Sequence, residues 1–187
     1  MFKLFRSRQD KTLGTKILVA SFSNAFAAEM EVDCGVYRRY DGSAQTRLFS
    51  EFSGIKEDIK GVDVLHLLAS LGSEGQISTV SGEQFAPAAL LDKCVASNVK
   101  AVVFANDNEA NAYIRSVPAK PLNLVMTIAR RGAAFPDFLD RLLCSLSSGV
   151  TFPLAWVKNA PQAPGSWHDH LPECIFAAGR PKAVLLP

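Results

Sequence analysis

Apolar residues fall into two kinds of run along this chain. Residues 17–22, 62–69, 99–104, 122–128 and 174–178 are short and nearly all apolar. Runs of that length and character read as strands buried on both faces of a sheet. Between them the apolar positions recur at three- and four-residue spacing, the period of a helix with one buried face. Ile55 and Ile59 lie at that spacing between Gly54 and Gly61. Residues 81–85 and Pro87 open a helix running to about Ser97, with Leu90, Leu91, Cys94 and Val95 turned inward and Asn98 at its end. Residues 109–116 form a short helix stopped by Pro118 and Pro121. Residues 135–146 carry Phe138, Leu139, Leu142, Leu143 and Leu146 on one stripe, closed by Gly149. Thr151 starts a further helix over 152–159, with Pro153 near its first turn.

The segment from 24 to 52 carries a different pattern. Asn24 caps a short helical or irregular piece reaching Met30. Residues 36–40 read as extended, Asp41-Gly42 is a turn signal, and 46–52 resumes an extended pattern. Together these predict a hairpin at a sheet edge. A Pro/Gly-rich loop over 161–172 leads to the late strand at 174–178, and 183–186 is a final apolar segment.

Alternating strands and helices predict an α/β fold, a three-layer α/β/α sandwich around a mostly parallel central sheet. Ligands bind beyond the carboxyl ends of the strands in such sheets. That rule sets residues 70–75 and 105–109 side by side as the candidate site.

The bulk properties narrow the reading. The chain has 187 residues, enough for one domain with its own core, and divides into a basic tail over 1–14 and a single domain over 15–187. Hydrophobic residues make up 48% and charged residues 20%, the balance of a folded globular chain. The net charge of +2 argues against a nucleic-acid partner. No run has the length of a membrane span. Lys16, residues 17–22 and Ala25-Phe-Ala27 imitate a leader with a cleavage site, although the same apolar residues serve as a first strand. Cys34, Cys94, Cys144 and Cys174 lack the short paired spacing of a zinc site. Cys94 and Cys144 read as buried thiols, and a reducing, cytoplasmic setting fits four scattered cysteines.

Candidate chemistry is sparse. The turn after Phe104 offers Asn106, Asp107, Asn108 and Glu109, with neither thiol nor imidazole. Asp107 and Glu109, with Glu74 nearby, could hold a divalent cation or act as a carboxylate pair in a hydrolase. The same residues also suit a helix cap. Ser70, Gly72, Ser73 and Gly75 could cradle an anion through backbone N–H groups. His66, inside a strand, reads as a buried, hydrogen-bonded core histidine, with Asp63 on the opposite face. Cys174 near His168 and His170 could supply a thiol and a base, and reads more simply as a packed thiol. The His168-Asp-His170 pair lacks a third ligand, so no metal is expected, and nothing in the chain calls for a cofactor.

Taken in order, these segments resemble the CHAT family of caspase-like, clan CD peptidase domains. Asp63-Val-Leu-His66 with Gly72 beyond it resembles the family's strand leading to a catalytic His-Gly. Val102-Val-Phe-Ala-Asn-Asp107 resembles the strand leading to Ala-Cys. Phe138-Leu-Asp-Arg-Leu-Leu143, Gly149 and Ala155-Trp-Val-Lys-Asn-Ala160 resemble the paired helices near the family's C-terminus. Pro172-Glu-Cys-Ile-Phe-Ala-Ala-Gly179 resembles its last strand. The resemblance spans roughly residues 60 to 180. It implies a caspase-like fold with the family's histidine position at Ser70 and its cysteine position at Asn106 or Asp107. Neither residue can supply the dyad, so the resemblance implies a catalytically inactive pseudo-peptidase with no catalytic residue. Its expected work is binding through Ser70, Gly72, Ser73, Asn106, Asp107, Asn108 and Glu109. The expected partner is another protein, such as an active peptidase or effector, or a small signalling ligand in a bacterial stress or antiphage setting. A homodimer through an exposed sheet edge also fits. Two alternatives stay open: a hydrolase using Asp107 and Glu109, and a cysteine peptidase with a non-standard dyad through Cys174 or Cys94.

Overall fold

A computed structural model describes residues 16–40, 43–106, 124–129, 134–150, 152–159 and 174–177. The elements in chain order are β1 (Ile17–Ser21), a 3-10 turn (Asn24–Phe26), α1 (Ala27–Arg38), β2 (Gln45–Leu48), α2 (Ile55–Asp58), β3 (Val64–Leu68), β4 (Ile77–Ser78), β5 (Gln84–Phe85), α3 (Pro87–Ala96), β6 (Ala101–Asn106), β7 (Leu124–Ala129), α4 (Ala134–Ser147), α5 (Phe152–Asn159) and β8 (Cys174–Ala177). Six strands form one sheet in the order β2-β1-β3-β6-β7-β8. The first five run parallel, and β8 is antiparallel to β7. β4 and β5 make a separate short hairpin. This is the α/β sandwich with a mostly parallel sheet that the strand–helix alternation predicts.

The continuous apolar runs follow from the two layers of helices. Side chains alternate across a strand, so a strand covered on both faces must be apolar at every position. Ile17, Val19, Val64, Leu68, Ala101 and Val103 face α1 and α4, where they meet Cys34, Tyr37, Phe138 and Leu142. Leu18, Ala20, Leu65, Leu67, Val102 and Phe104 face the other layer, with Ile55, Ile59, Leu90, Leu91 and Phe85. The run that imitates a leader's apolar core is β1, a sheet strand buried at all five positions.

Three expectations are corrected. Residues 36–38 are helical, as the last turn of α1, and the expected hairpin is absent, because β2 pairs parallel with β1. Met30, Asp33, Cys34 and Tyr37 are buried at helical spacing, but a charged residue inside that stripe hides it. β2 does lie at an edge of the sheet. Residues 81–85 are not the start of α3. Gly82 takes a left-handed φ of 86°, Glu83 N–H donates to Thr79 Oγ1, and Ile77 pairs with Phe85 across the hairpin. α3 starts at Pro87, whose missing N–H and fixed φ suit a first helical position. Cys144 is exposed, one position off the stripe that buries Leu142 and Leu143. The basic tail, the Asp41-Gly42 turn, the 109–116 helix, the 161–172 loop and the 183–186 segment lie outside the described residues.

Candidate ligand-binding site

The sheet order brings together the two strand ends singled out in the sequence. β3 and β6 are parallel neighbours in register, with Leu68 beside Ala105. The chain therefore leaves β3 through Ala69 and Ser70 next to Asn106, the last residue of β6. Asn106 is paired on its other side with Ala129 of β7. Asp107, Asn108 and Glu109, and the side chain of Asn106, lie outside the described residues.

Ser70, Gly72 and Ser73 are exposed on a tightly folded loop. Gly72 N–H donates to Gln76 C=O at 2.8 Å, and Gly75 N–H donates to Gly72 C=O at 2.9 Å. Leu71 bridges to Ile77 and anchors the loop to the hairpin. Gly75 has φ of 78°, which favours glycine. At Gly72 the constraint is space: a Cβ there would come 3.0 Å from Gln76 Nε2. The Gln76 amide thus packs over Gly72, and its Oε1 is buried without a hydrogen-bond partner. Glu74 is exposed on the same loop, and no group of three His, Cys, Asp or Glu among the described residues could hold a metal ion.

The end of β1 completes the rim and was missed in the sequence. β1 lies on the far side of β3 from β6, and the strand order reverses between β1 and β3. Such a switch point opens a crevice in parallel sheets. Phe49 N–H donates to Ser21 C=O, Ser23 N–H donates to Ser21 Oγ at 3.0 Å, and Ala25 N–H donates to Ser23 Oγ at 3.2 Å. These bonds turn the chain and leave Asn24 exposed beside the site. A Ser-x-Ser-Asn string after a buried strand was the available signal.

His66 is not at this site. It sits two residues before the end of β3, is 0% exposed, and faces α1. Its Nδ1 lies 2.9 Å from Tyr37 Oη and its Nε2 3.4 Å from Asp33 Oδ2. The reading of His66 as a buried, hydrogen-bonded core residue holds. Asp63 lies apart, before β3, where it pairs with Lys100 and accepts from Lys16 N–H. Cys34 and Cys94 are buried, and burial raises both thiols, Cys94 to about 12. Neither supplies a thiolate near neutral pH. The side chain of Cys174 and residues 168 and 170 are outside the described residues.

A cavity of about 500 Å³ lies at the opposite end of the sheet, lined by Lys56, Lys60, Asp63, Asn98 and Lys100. It opens at the amino ends of β3 and β6, away from the loops that a parallel sheet uses for binding. Among the described residues no helix is long and apolar enough to cross a membrane.

The Gly72 and Gly75 N–H groups are engaged within the loop, so the expected anion cradle loses both. The described groups that remain at the carboxyl rim are hydroxyls and one exposed amide, at Asn24. They can donate and accept hydrogen bonds, and they offer no nucleophile paired with a base. No protein-family model matches the chain, and no curated protein matches it.

Proposed function

We propose that the chain is a catalytically inactive, caspase-like pseudo-peptidase domain that works by binding. The observation that carries this reading is the pairing of β3 with β6. The strands that the resemblance assigns to the family's histidine and cysteine are register neighbours. Their ends carry Ser70 and Asn106, which cannot form a thiolate–imidazole pair. Burial of His66, Cys34 and Cys94 supports it further, because those groups lie in the core. In this reading Ser70, Gly72, Ser73 and the 106–109 turn receive a protein segment or a small signalling ligand, in a bacterial regulatory setting in the cytoplasm. An active peptidase regulated by this domain fits that role.

The test is hydrolysis of a mixed fluorogenic peptide library, before and after iodoacetamide and with Asp107→Ala. The expected result is no turnover in any arm. Turnover abolished by alkylation would establish a cysteine peptidase instead. Turnover that resists alkylation and disappears in Asp107→Ala would establish the acidic-turn hydrolase.

A further inference from the structure

The free edge of the sheet and the helix above it form one uncovered surface. β2 is an outermost strand, paired with β1 on one side alone. Phe49 N–H donates to Ser21 C=O, which fixes the alternation of the ladder. Gln45 and Arg47 therefore turn their backbone groups to β1, and Thr46 and Leu48 turn theirs outward. Among the described residues nothing bonds to those outward groups, and Leu48 is 41% exposed. α1 packs on both β1 and β2. Its Glu31 accepts from Thr46 Oγ1 at 2.6 Å, and its Arg38 Nε donates to Ala44 C=O at 3.0 Å. The stripe of α1 through Glu31 and Arg38 thus overhangs the edge. Ala28 and Gly35 lie three and four residues from Glu31 on that stripe, with Val32 beside it. All three are exposed, Val32 by 50%.

Gly35 has no explanation inside the chain. It lies in the middle of α1 without a positive φ, and a Cβ there would meet nothing within 4 Å. A glycine inside a helix is destabilising relative to alanine, and what it provides is close approach of another backbone. The unpaired edge beneath it is an independent feature, and it fits a strand.

The same surface selects a second copy of this chain as the occupant. Its charges come in opposite pairs, Glu31 with Arg38 and Arg47 with Asp58, so an identical face meets it without net repulsion. Antiparallel pairing about a two-fold axis lets each outward N–H meet an outward C=O of the same strand in the other copy. An axis at Thr46 sets Arg47 opposite the partner's Gln45, whereas an axis at Arg47 would oppose like charges. Strands pair about 4.8 Å apart, so two helices each seated over the β1–β2 step come to roughly 10 Å, a spacing at which small residues let helices pack. Ala28 then faces the partner's Gly35 across Val32. A four-residue strand alone buries far less than the roughly 800 Å² per copy of a stable interface, and the 12-residue α1 widens it. We propose that the β2 edge and the outer face of α1 form a two-fold interface with a second copy of this chain, with β2 antiparallel to its copy about Thr46 and the two α1 helices in contact at Ala28, Val32 and Gly35.

Sedimentation velocity of the full chain over a concentration series tests the interface, with Gly35→Leu and Thr46→Pro as variants. Both spare the isolated fold, since space is open at Gly35 Cβ and the Thr46 N–H faces outward. The parent should sediment as a dimer, and each variant should raise its dissociation constant by at least about tenfold. A parent that stays monomeric at every concentration, or a dimer that survives both substitutions, overturns the proposal. Should a variant misfold, cysteine trapping in a Cys144→Ser background replaces it. On mild oxidation Val32→Cys should give a disulfide-linked dimer, and Leu154→Cys, at a side chain 49% exposed on α5, should not. Equal trapping at both positions, or none at Val32→Cys, refutes the interface.

Discussion

Replacing Phe22 with alanine probes how the carboxyl rim of the sheet is held. Phe22 follows β1 and is 1% exposed. Its ring centroid lies 5.1 Å from that of Phe49, just beyond β2, and 4.9 Å from that of Phe85 in the hairpin. Phe52, at 6.5 Å, stacks on Phe85 at 3.9 Å and carries Lys93 Nζ over its ring at 4.2 Å. One side chain therefore ties β1 to β2 and to the hairpin that anchors the 70–75 loop. A buried Phe→Ala change costs about 3–5 kcal/mol through lost transfer energy and the cavity left behind. Two close aromatic pairs place this site in the upper part of that range, because each adds about 0.5–1.5 kcal/mol beyond area. Partial collapse of the half-buried Phe52 into the gap offsets some of the loss, leaving about 4 kcal/mol. With a urea slope of about 1–3 kcal/mol/M, the midpoint should drop by about 2 M at unchanged slope. Val80→Ala, at a side chain 55% exposed, is the matched control and should move stability by less than about 0.5 kcal/mol. A loss below about 1.5 kcal/mol for Phe22→Ala would refute the claim that this ring holds the rim, since it would fall under the range for a packed core phenylalanine.

Other predictions address separate elements. Tyr37→Phe leaves His66 Nδ1 buried without its hydrogen-bond partner and should cost about 1–3 kcal/mol at pH 7.5 by urea unfolding. Iodoacetamide applied to the native chain, followed by peptide mass mapping, should modify the exposed Cys144 and spare Cys34 and Cys94; modification of Cys94 without unfolding would contradict its burial. Burial disfavours the Asp63 carboxylate, yet the Lys100 ammonium and the Lys16 N–H outweigh that and hold it below the ordinary aspartate value. Its contribution is therefore fully present above about pH 4 and lost as pH falls through the lowered folded value, so Asp63→Asn should flatten stability only in that acidic window. Gly75→Ala places a Cβ at a φ of 78° and should cost about 1 kcal/mol, measured as a lowered melting midpoint.

How far the sequence reveals this fold depends on what each element buries. β1, β3 and β6 were legible because both faces are covered and every position is apolar. α4 and α5 were legible because a stripe such as Phe138, Leu139, Leu142 and Leu143 has no polar interruption. α1 was misread because its buried face carries Asp33, whose neighbours Tyr37 and His66 come from another turn and another strand. A long-range polar cluster leaves no periodic trace in a single segment. The β4–β5 hairpin was missed because each strand is two residues long, too short to show alternation. Ser70 and Asn106 could be located because strand ends follow from strand positions. Ser23 and Asn24 could not, because only the strand order puts β1 beside β3.

The central claim is that the carboxyl rim beside β3 and β6 binds a partner. It is tested most directly by a photo-crosslinking amino acid placed at Ser73 and, as a control, at Lys60 beside the cavity at the opposite end of the sheet. Both chains are expressed in the native host, irradiated, and compared by mass spectrometry. The account predicts one discrete adduct at residue 73, absent at residue 60 and lost when Gly72→Trp fills the loop. Equal labelling at both positions, or a discrete adduct confined to residue 60, would contradict it.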